Sequence, residues 1–289
     1  MKKVFVVLGQ TATGKSDLAV KIALRLSSGQ TKKGAEIISA DSRQVYKGLD
    51  IGTGKITKKE MRGVLHHLLD IISPKKRFSV SEYQKLANFT IVKILNKGKT
   101  PIICGGTGFY IDAVTKGIVL PKVPPNPKLR ARYTQKAALA LFQVLKKLDP
   151  KRAKNIDPHN KVRLIRAIEI AKYLGKVPSV TEETPPFKFI KLGLFLPKDK
   201  LKIRIEKRVK FMFKKGLLRE IRKLKKFGVS EKRLRELGFE YYNPTPEKVI
   251  KETHKYAKRQ MTWFKRDKSI KWFDASKKIN LTRLPTIQN

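Results

Sequence analysis

Gly9-Gln10-Thr11-Ala12-Thr13-Gly14-Lys15-Ser16 sets two glycines five positions apart and follows the second with a lysine and a hydroxyl. That pattern suits one task, the cradling of a phosphate. Glycines let successive backbone N–H groups turn inward, a following helix adds the positive end of its dipole, and Lys15 with a Ser16-bound Mg²⁺ neutralises the outer charges. The loop alone does not say which phosphate compound binds. A second group is Asp41, in the run Asp41-Ser42-Arg43-Gln44-Val-Tyr46-Lys-Gly48-Leu-Asp50-Ile-Gly52-Thr53. An acid at a strand end serves as a helix cap in many proteins, whereas beside a phosphate site it binds Mg²⁺ through water or takes a proton from a nucleophile. Gly105-Gly106-Thr107-Gly108 offers another turn with backbone donors and a hydroxyl.

For these groups to meet, strand ends must converge. Residues 4–8 form a short apolar, β-branched run before Gly9, which suits a strand buried on both faces, and 15–26 follow with helical spacing at Leu18, Ile22 and Leu26. A second apolar piece at 36–39 ends at Ala40-Asp41, residues 79–96 read as a Ser-capped amphipathic helix, and 101–104 form a third strand before the glycines. Strands alternating with helices in units of this length imply right-handed crossovers and a parallel sheet. Pro121, Pro124, Pro125 and Pro127 then mark a boundary, after which 128–175 show only helical periodicity. Past Pro185-Pro186, residues 187–196 alternate like a strand rejoining the sheet, 200–227 and 247–267 read as long basic helices, and 270–273 as a last strand. The expected organisation is a core of 1–119 and 188–289 interrupted by a helical insertion at 120–187.

Composition narrows the partners. Of 289 residues, 40% are hydrophobic and 8% aromatic, a globular balance, while 67 Lys+Arg against 23 Asp+Glu leave a net charge of +44. Such a surplus repels itself unless an anionic partner compensates it, and nucleic acid is the first candidate; a merely solvated basic surface is the alternative. The lone Cys104 forbids an intrachain disulfide, and no stretch approaches the ~20 apolar residues of a membrane span, so a cytoplasmic protein is expected. His66 and His67 are adjacent with no Cys nearby, which favours a structural role over metal binding. Trp263 suits either base stacking or the buried side of a helix.

In its ordered motifs the chain resembles the tRNA dimethylallyltransferase family. The matching pieces are the 9–16 loop, the 41–53 block, His66-His-Leu-Leu-Asp70, Gly105-Gly-Thr-Gly-Phe-Tyr110, Arg163-Leu-Ile-Arg166-Ala-Ile-Glu169, Arg204-Ile-Glu-Lys-Arg208-Val and Tyr256-Ala-Lys-Arg-Gln-Met-Thr-Trp-Phe264. The 41–53 block is the most specific of them. Gln10 stands where the family usually has Pro, Ser16 where Thr is commoner, and the late Gly-Tyr element survives only as Leu237-Gly238-Phe239-Glu240.

The resemblance implies an α/β fold: a P-loop NTPase-like parallel sheet flanked by helices, with an all-helical insertion. It implies transfer of a dimethylallyl group from dimethylallyl diphosphate to N6 of adenosine 37 in the tRNA anticodon stem-loop, by a monomer using Mg²⁺ bound at Ser16. Asp41 would be the general base, and the 9–16 loop would hold the diphosphate with Arg204 or Arg208. The implied catalytic set is Asp41, Lys15, Thr107 and Arg208. The implied tRNA contacts are Asp41, Ser42, Arg43, Gln44, Thr107, Arg130, Arg163, Arg166, Gly238 and Phe239. No Asp-Asp pair offers another diphosphate site. A P-loop kinase of a small molecule is the rival, but it leaves the charge and the 41–53 block unexplained.

Overall fold

The computed structural model describes residues 1–28 and 34–280. It opens with β1 (Lys2–Gly9), α1 (Lys15–Ser28) and β2 (Ala35–Ala40), followed by a short α2 (Lys58–Met61) and β3 (His66–His67). Then come α3 (Val80–Asn96), β4 (Thr100–Gly105) and α4 (Gly108–Thr115). The insertion contributes α5 (Pro127–Thr134), α6 (Ala138–Leu148), α7 (Pro150–Ala153) and α8 (Lys161–Leu174). The chain finishes with β5 (Phe187–Phe195), α9 (Lys198–Lys215), α10 (Leu217–Lys226), α11 (Glu231–Leu237), α12 (Pro246–Phe264) and β6 (Lys271–Asp274).

The sheet has six strands in the order β3-β2-β4-β1-β5-β6, and every pairing is parallel. Side chains alternate across a strand, and β1 shows the consequence. Val4, Val6 and Leu8 pack with Ile91, Ile94 and Ile111 on one face, while Phe5 and Val7 pack with Leu18 and Ile22 on the other. Both faces are covered, which is why the strand reads as a continuous apolar run. The register sets Ala40 opposite Gly105 and Leu8 opposite Gly105 on the other side, so the Lys15 loop, Asp41 and the Gly105–Gly106 turn emerge at one edge of the sheet. Among the described residues no helix is long and apolar enough to cross a membrane.

Helix starts follow their side chains: Ser79 and Glu82 form a reciprocal capping box on α3, and Asn160 caps α8. The basic stretch expected as one helix over 200–227 is two, because Gly216 at φ +102° ends α9 in a left-handed turn and starts α10. The helices α2, α4 and α11 were not expected; each is short, and its apolar periodicity is too brief to register. His67 accepts or donates at 2.7 Å with Glu36, and the His66 Nδ1 hydrogen donates to the Val64 carbonyl at 2.8 Å, so both histidines serve the β3 edge. Trp263 Nε1 donates to Asp112 at 3.0 Å and its ring packs against the side of the core that holds Val4, Val6 and Leu8, a structural place.

By contacts the chain forms two compact units, Met1–Gly117 with the residues from Thr184 onward, and Ile118–Glu183. The sequence boundaries lie two to four residues away, at 119/120 and 187/188; residues 281–289 of the expected core are outside those described. The second unit has its own core of Tyr133, Leu141, Leu145, Leu164 and Ile168. Its termini are tied together by Val119 N–H donating to the Thr181 carbonyl at 2.9 Å.

Candidate active site

The glycine loop, the turn after β2 and parts of α9 and α12 enclose a cavity of ≈ 750 Å³. Thr11, Ala12, Gly14, Lys15 and Ser16 line it, together with Asp41, Ser42, Arg43, Gln44, Arg208, Gly238 and Phe239. Most of the expected site therefore shares one space.

The loop is braced from behind. Gln10 Nε2 donates to the Ala257 carbonyl at 3.2 Å and the Thr13 hydroxyl to the Gln10 carbonyl at 2.8 Å, so these two side chains shape the loop rather than face the cavity, and neither they nor Gly9 lines it. Lys15 Nζ donates to the Gln10 carbonyl at 2.5 Å. Burial is the main influence on this ammonium, and with Arg208 it outweighs Cys104 and Asp41 to lower the lysine to about 8. A buried cation of this kind is stabilised by an arriving anion.

Gln260, from α12, was not singled out for the site. Its Oε1 accepts the Thr11 N–H at 2.7 Å and its Nε2 donates to the Gly106 carbonyl at 2.9 Å, fastening the phosphate loop to the turn after β4. The signal was present, since Gln260 lies in the 256–264 motif, but helical spacing alone made it a buried-face residue.

Asp41 folds its own turn. Its Oδ1 accepts from the Arg43 N–H at 2.8 Å and the Gln44 N–H at 3.3 Å, leaving Oδ2 without a partner among the described residues. Thr107 is half-buried beside this turn; its Oγ1 accepts the Ser42 N–H at 2.9 Å and its hydroxyl donates to the Ser42 hydroxyl at 3.3 Å, so it braces the Asp41 turn. The rest of the 41–53 block is held by Glu220 of α10, buried, whose carboxylate accepts from the N–H groups of Asp50, Ile51 and Gly52 and from the Tyr241 hydroxyl at 2.7–3.1 Å.

The two arginines of α9 separate. Arg208 lines the main cavity and donates through Nη2 to the Thr53 carbonyl at 3.0 Å, whereas Arg204 lines a neighbouring cavity of ≈ 780 Å³ with Thr13, Gly14, Lys21 and Arg25. Burial depresses the Arg208 guanidinium, and Asp41, Glu240 and Glu60 offset this only in part. It makes no salt bridge among the described residues.

Within the insertion, the three arginines expected to contact tRNA have different surroundings. Arg130 donates twice to buried Glu169, at 2.9 and 2.7 Å, and Arg166 donates both to Glu169 and, at 3.0 Å, to the Val123 carbonyl. Burial would raise the Glu169 carboxyl, but Arg130, the Asn126 N–H and Arg166 hold it at about 2. Arg163 alone of the three is exposed and has no side-chain partner among the described residues.

Ser16 offers a hard hydroxyl oxygen to the cavity, and no group of three His, Cys, Asp or Glu side chains among the described residues could hold a metal by itself. That donor set fits Mg²⁺, which takes few protein ligands and completes its shell with water and phosphate oxygens.

Proteins of one family match nearly the whole chain. Residues 44–267 match the family model described as IPP transferase. The tRNA dimethylallyltransferase of Acetivibrio thermocellus is 37% identical over 305 residues, covering 96% of this chain and 95% of the relative. The crystal structure of the full-length tRNA isopentenylpyrophosphate transferase of Bacillus halodurans superposes with a TM-score of 0.68 at 36% identity, covering 95% of this chain and 90% of that one. A eukaryotic dimethylallyltransferase acting on tRNA shares the fold, with a TM-score of 0.74 at 23% identity, over 95% of this chain and 74% of that one. With its phosphate loop and strand-end carboxylate facing one cavity, and with relatives matching nearly end to end, the chain belongs to the tRNA dimethylallyltransferase family of prenyltransferases.

Proposed function

We propose that the protein transfers a dimethylallyl group from dimethylallyl diphosphate to N6 of adenosine 37 in tRNA, giving N6-dimethylallyladenosine and diphosphate. One observation carries the reading: a phosphate loop and a carboxylate with a free oxygen line the same cavity. The donor's C1–O bond breaks with its electron pair leaving on the diphosphate, the N6–C1 bond forms, and the N6 proton passes to Asp41. An exocyclic adenine amine is a poor nucleophile because its lone pair is delocalised, so proton removal must accompany bond formation. Lys15, the loop N–H groups and Arg208 stabilise charge growing on the leaving diphosphate. Mg²⁺ held by Ser16 and the diphosphate would supply further Lewis-acid neutralisation there.

For reaction, the adenine must leave its stack and enter the pocket, where Ser42, Arg43, Gln44, Gly238 and Phe239 stand around it. The insertion, with exposed Arg163, contacts the anticodon stem-loop. The same reading places the enzyme in the cytoplasm as a monomer. Incubation with labelled dimethylallyl diphosphate or, separately, γ-labelled ATP, each with total tRNA, tests it. Label on tRNA from the prenyl donor is expected; its absence removes the proposal.

A further inference from the structure

We propose that Glu240 is a specificity-determining residue for the acceptor base: its carboxyl group donates a hydrogen bond to a ring nitrogen of an adenine whose exocyclic amine faces Asp41. The inference rests on the reading that adenine N6 is the nucleophile. An adenine edge places an amine that donates beside a ring nitrogen that accepts. A pocket that recognises it therefore needs an acceptor and a donor together. Asp41, acting as base, supplies only acceptors.

Glu240 lines the same cavity, just after the turn at Gly238. Gly238 has φ +151°, and a Cβ there would stand 2.6 Å from Glu240 Oε2, so the carboxyl occupies space that a side chain at 238 would fill. The charged and titratable groups around it are Asp41 after β2, Arg43 in the following turn, Arg208 on α9, Tyr256 on α12 and the adjacent Tyr241. Burial raises the Glu240 carboxyl to about 7; Asp41 adds to this, while Arg43, Arg208 and the residue's own backbone N–H oppose it. Near neutrality this acid therefore retains a proton to donate.

Some neighbouring donors already have acceptors. Arg43 Nη1 donates to the Glu236 carbonyl at 2.6 Å, Arg208 Nη2 to the Thr53 carbonyl at 3.0 Å, and the Ser42 N–H to Thr107 at 2.9 Å.

The test uses anticodon stem-loop hairpins carrying adenosine, 1-deazaadenosine or 7-deazaadenosine at the acceptor position, with wild type, Glu240→Gln and Glu240→Ala, from pH 6 to 8, below the range in which Lys15 loses its proton. Wild-type kcat/KM on adenosine should fall by up to about tenfold per pH unit above about 7 as the donor is lost. Glu240→Gln, whose amide keeps its hydrogens, should lack that limb. Glu240→Ala should lose about tenfold at pH 6.5. One deaza hairpin should cost wild type about tenfold and cost Glu240→Ala nothing further. An unchanged limb in Glu240→Gln, or equal deaza penalties in wild type and Glu240→Ala, overturns the role.

Hairpin affinity, read by fluorescence anisotropy, separates the two hypotheses. Wild type that transfers no prenyl group to any hairpin overturns the catalytic reading. Affinities in which Glu240→Ala and wild type discriminate the deaza hairpins equally overturn the Glu240 donor.

Discussion

Arg208 in the core and Arg130 with Arg166 in the insertion are all contacts that the resemblance implies, yet their charges are used in opposite ways. Arg208 meets a neutral carbonyl, and burial depresses its guanidinium, so part of its charge remains uncompensated beside the phosphate loop. Arg130 and Arg166 converge on buried Glu169, which they help hold as a carboxylate far below its usual range. A guanidinium committed to a buried acid supports its own unit first, whereas one without a salt bridge among the described residues is available to an anion. Substitutions in the cavity should thus change chemistry, and substitutions around Glu169 should change stability.

The sharpest test lies at the carboxylate. Asp41→Ala should lower the single-turnover rate by roughly 10²–10⁴-fold with tRNA affinity largely kept; a near-normal rate would remove Asp41 from the mechanism. Next, Arg208→Ala should reduce kcat/KM by about 10²-fold without lowering the urea midpoint. Loss of stability instead of rate would place Arg208 with the insertion arginines.

Glu169→Ala should do the reverse. It strands two partly exposed arginines around a buried site and should destabilise the insertion by about 2–3 kcal/mol, less than a fully buried pair because water screens the guanidiniums. Hydrogen exchange in residues 118–183 would report it. Because the folded carboxyl is held below its ordinary value, this stabilisation is present above about pH 4.5 and is lost as pH falls towards about 2. An acid transition of the insertion that persists unchanged in Glu169→Gln would contradict that linkage.

Lys15 brings the comparison to pH. Its folded-state value near 8 lies below the usual one, so the free enzyme carries the ammonium below pH 8 and loses it above. Diphosphate affinity should therefore weaken above pH 8, by up to about tenfold per unit, and Lys15→Met should abolish that dependence. Titration calorimetry with inorganic diphosphate at pH 7 and 9 would show it.

The smallest effect is expected at Arg163. Its replacement by Ala should flatten the slope of log K against log salt for tRNA by about 0.7–0.9. Arg166→Ala should act mainly on stability. Equal slopes for Arg163→Ala and wild type would return the residue to a solvated face.

The sequence by itself determined the parts that local chemistry dictates: the phosphate loop, the buried strands with their continuous apolar runs, the strand-end Asp41 and the proline-marked insertion. The glycine-lysine-serine spacing and the alternation of β1 express backbone geometry over a few residues, so they are legible without distant partners. Tertiary structure alone decided which polar groups remain free. Nothing in the local pattern told that Glu220 would fasten residues 50–52 from 168–170 positions away, or that Gln260 would join two loops. Nor did it show that Thr107 would accept the Ser42 N–H, that Arg204 and Arg208 would line different cavities, or that Glu240 would stand with Asp41 in one. Hydrogen bonding and burial are settled by groups brought together from far along the chain, and they fix whether a charge binds a ligand or holds the protein together.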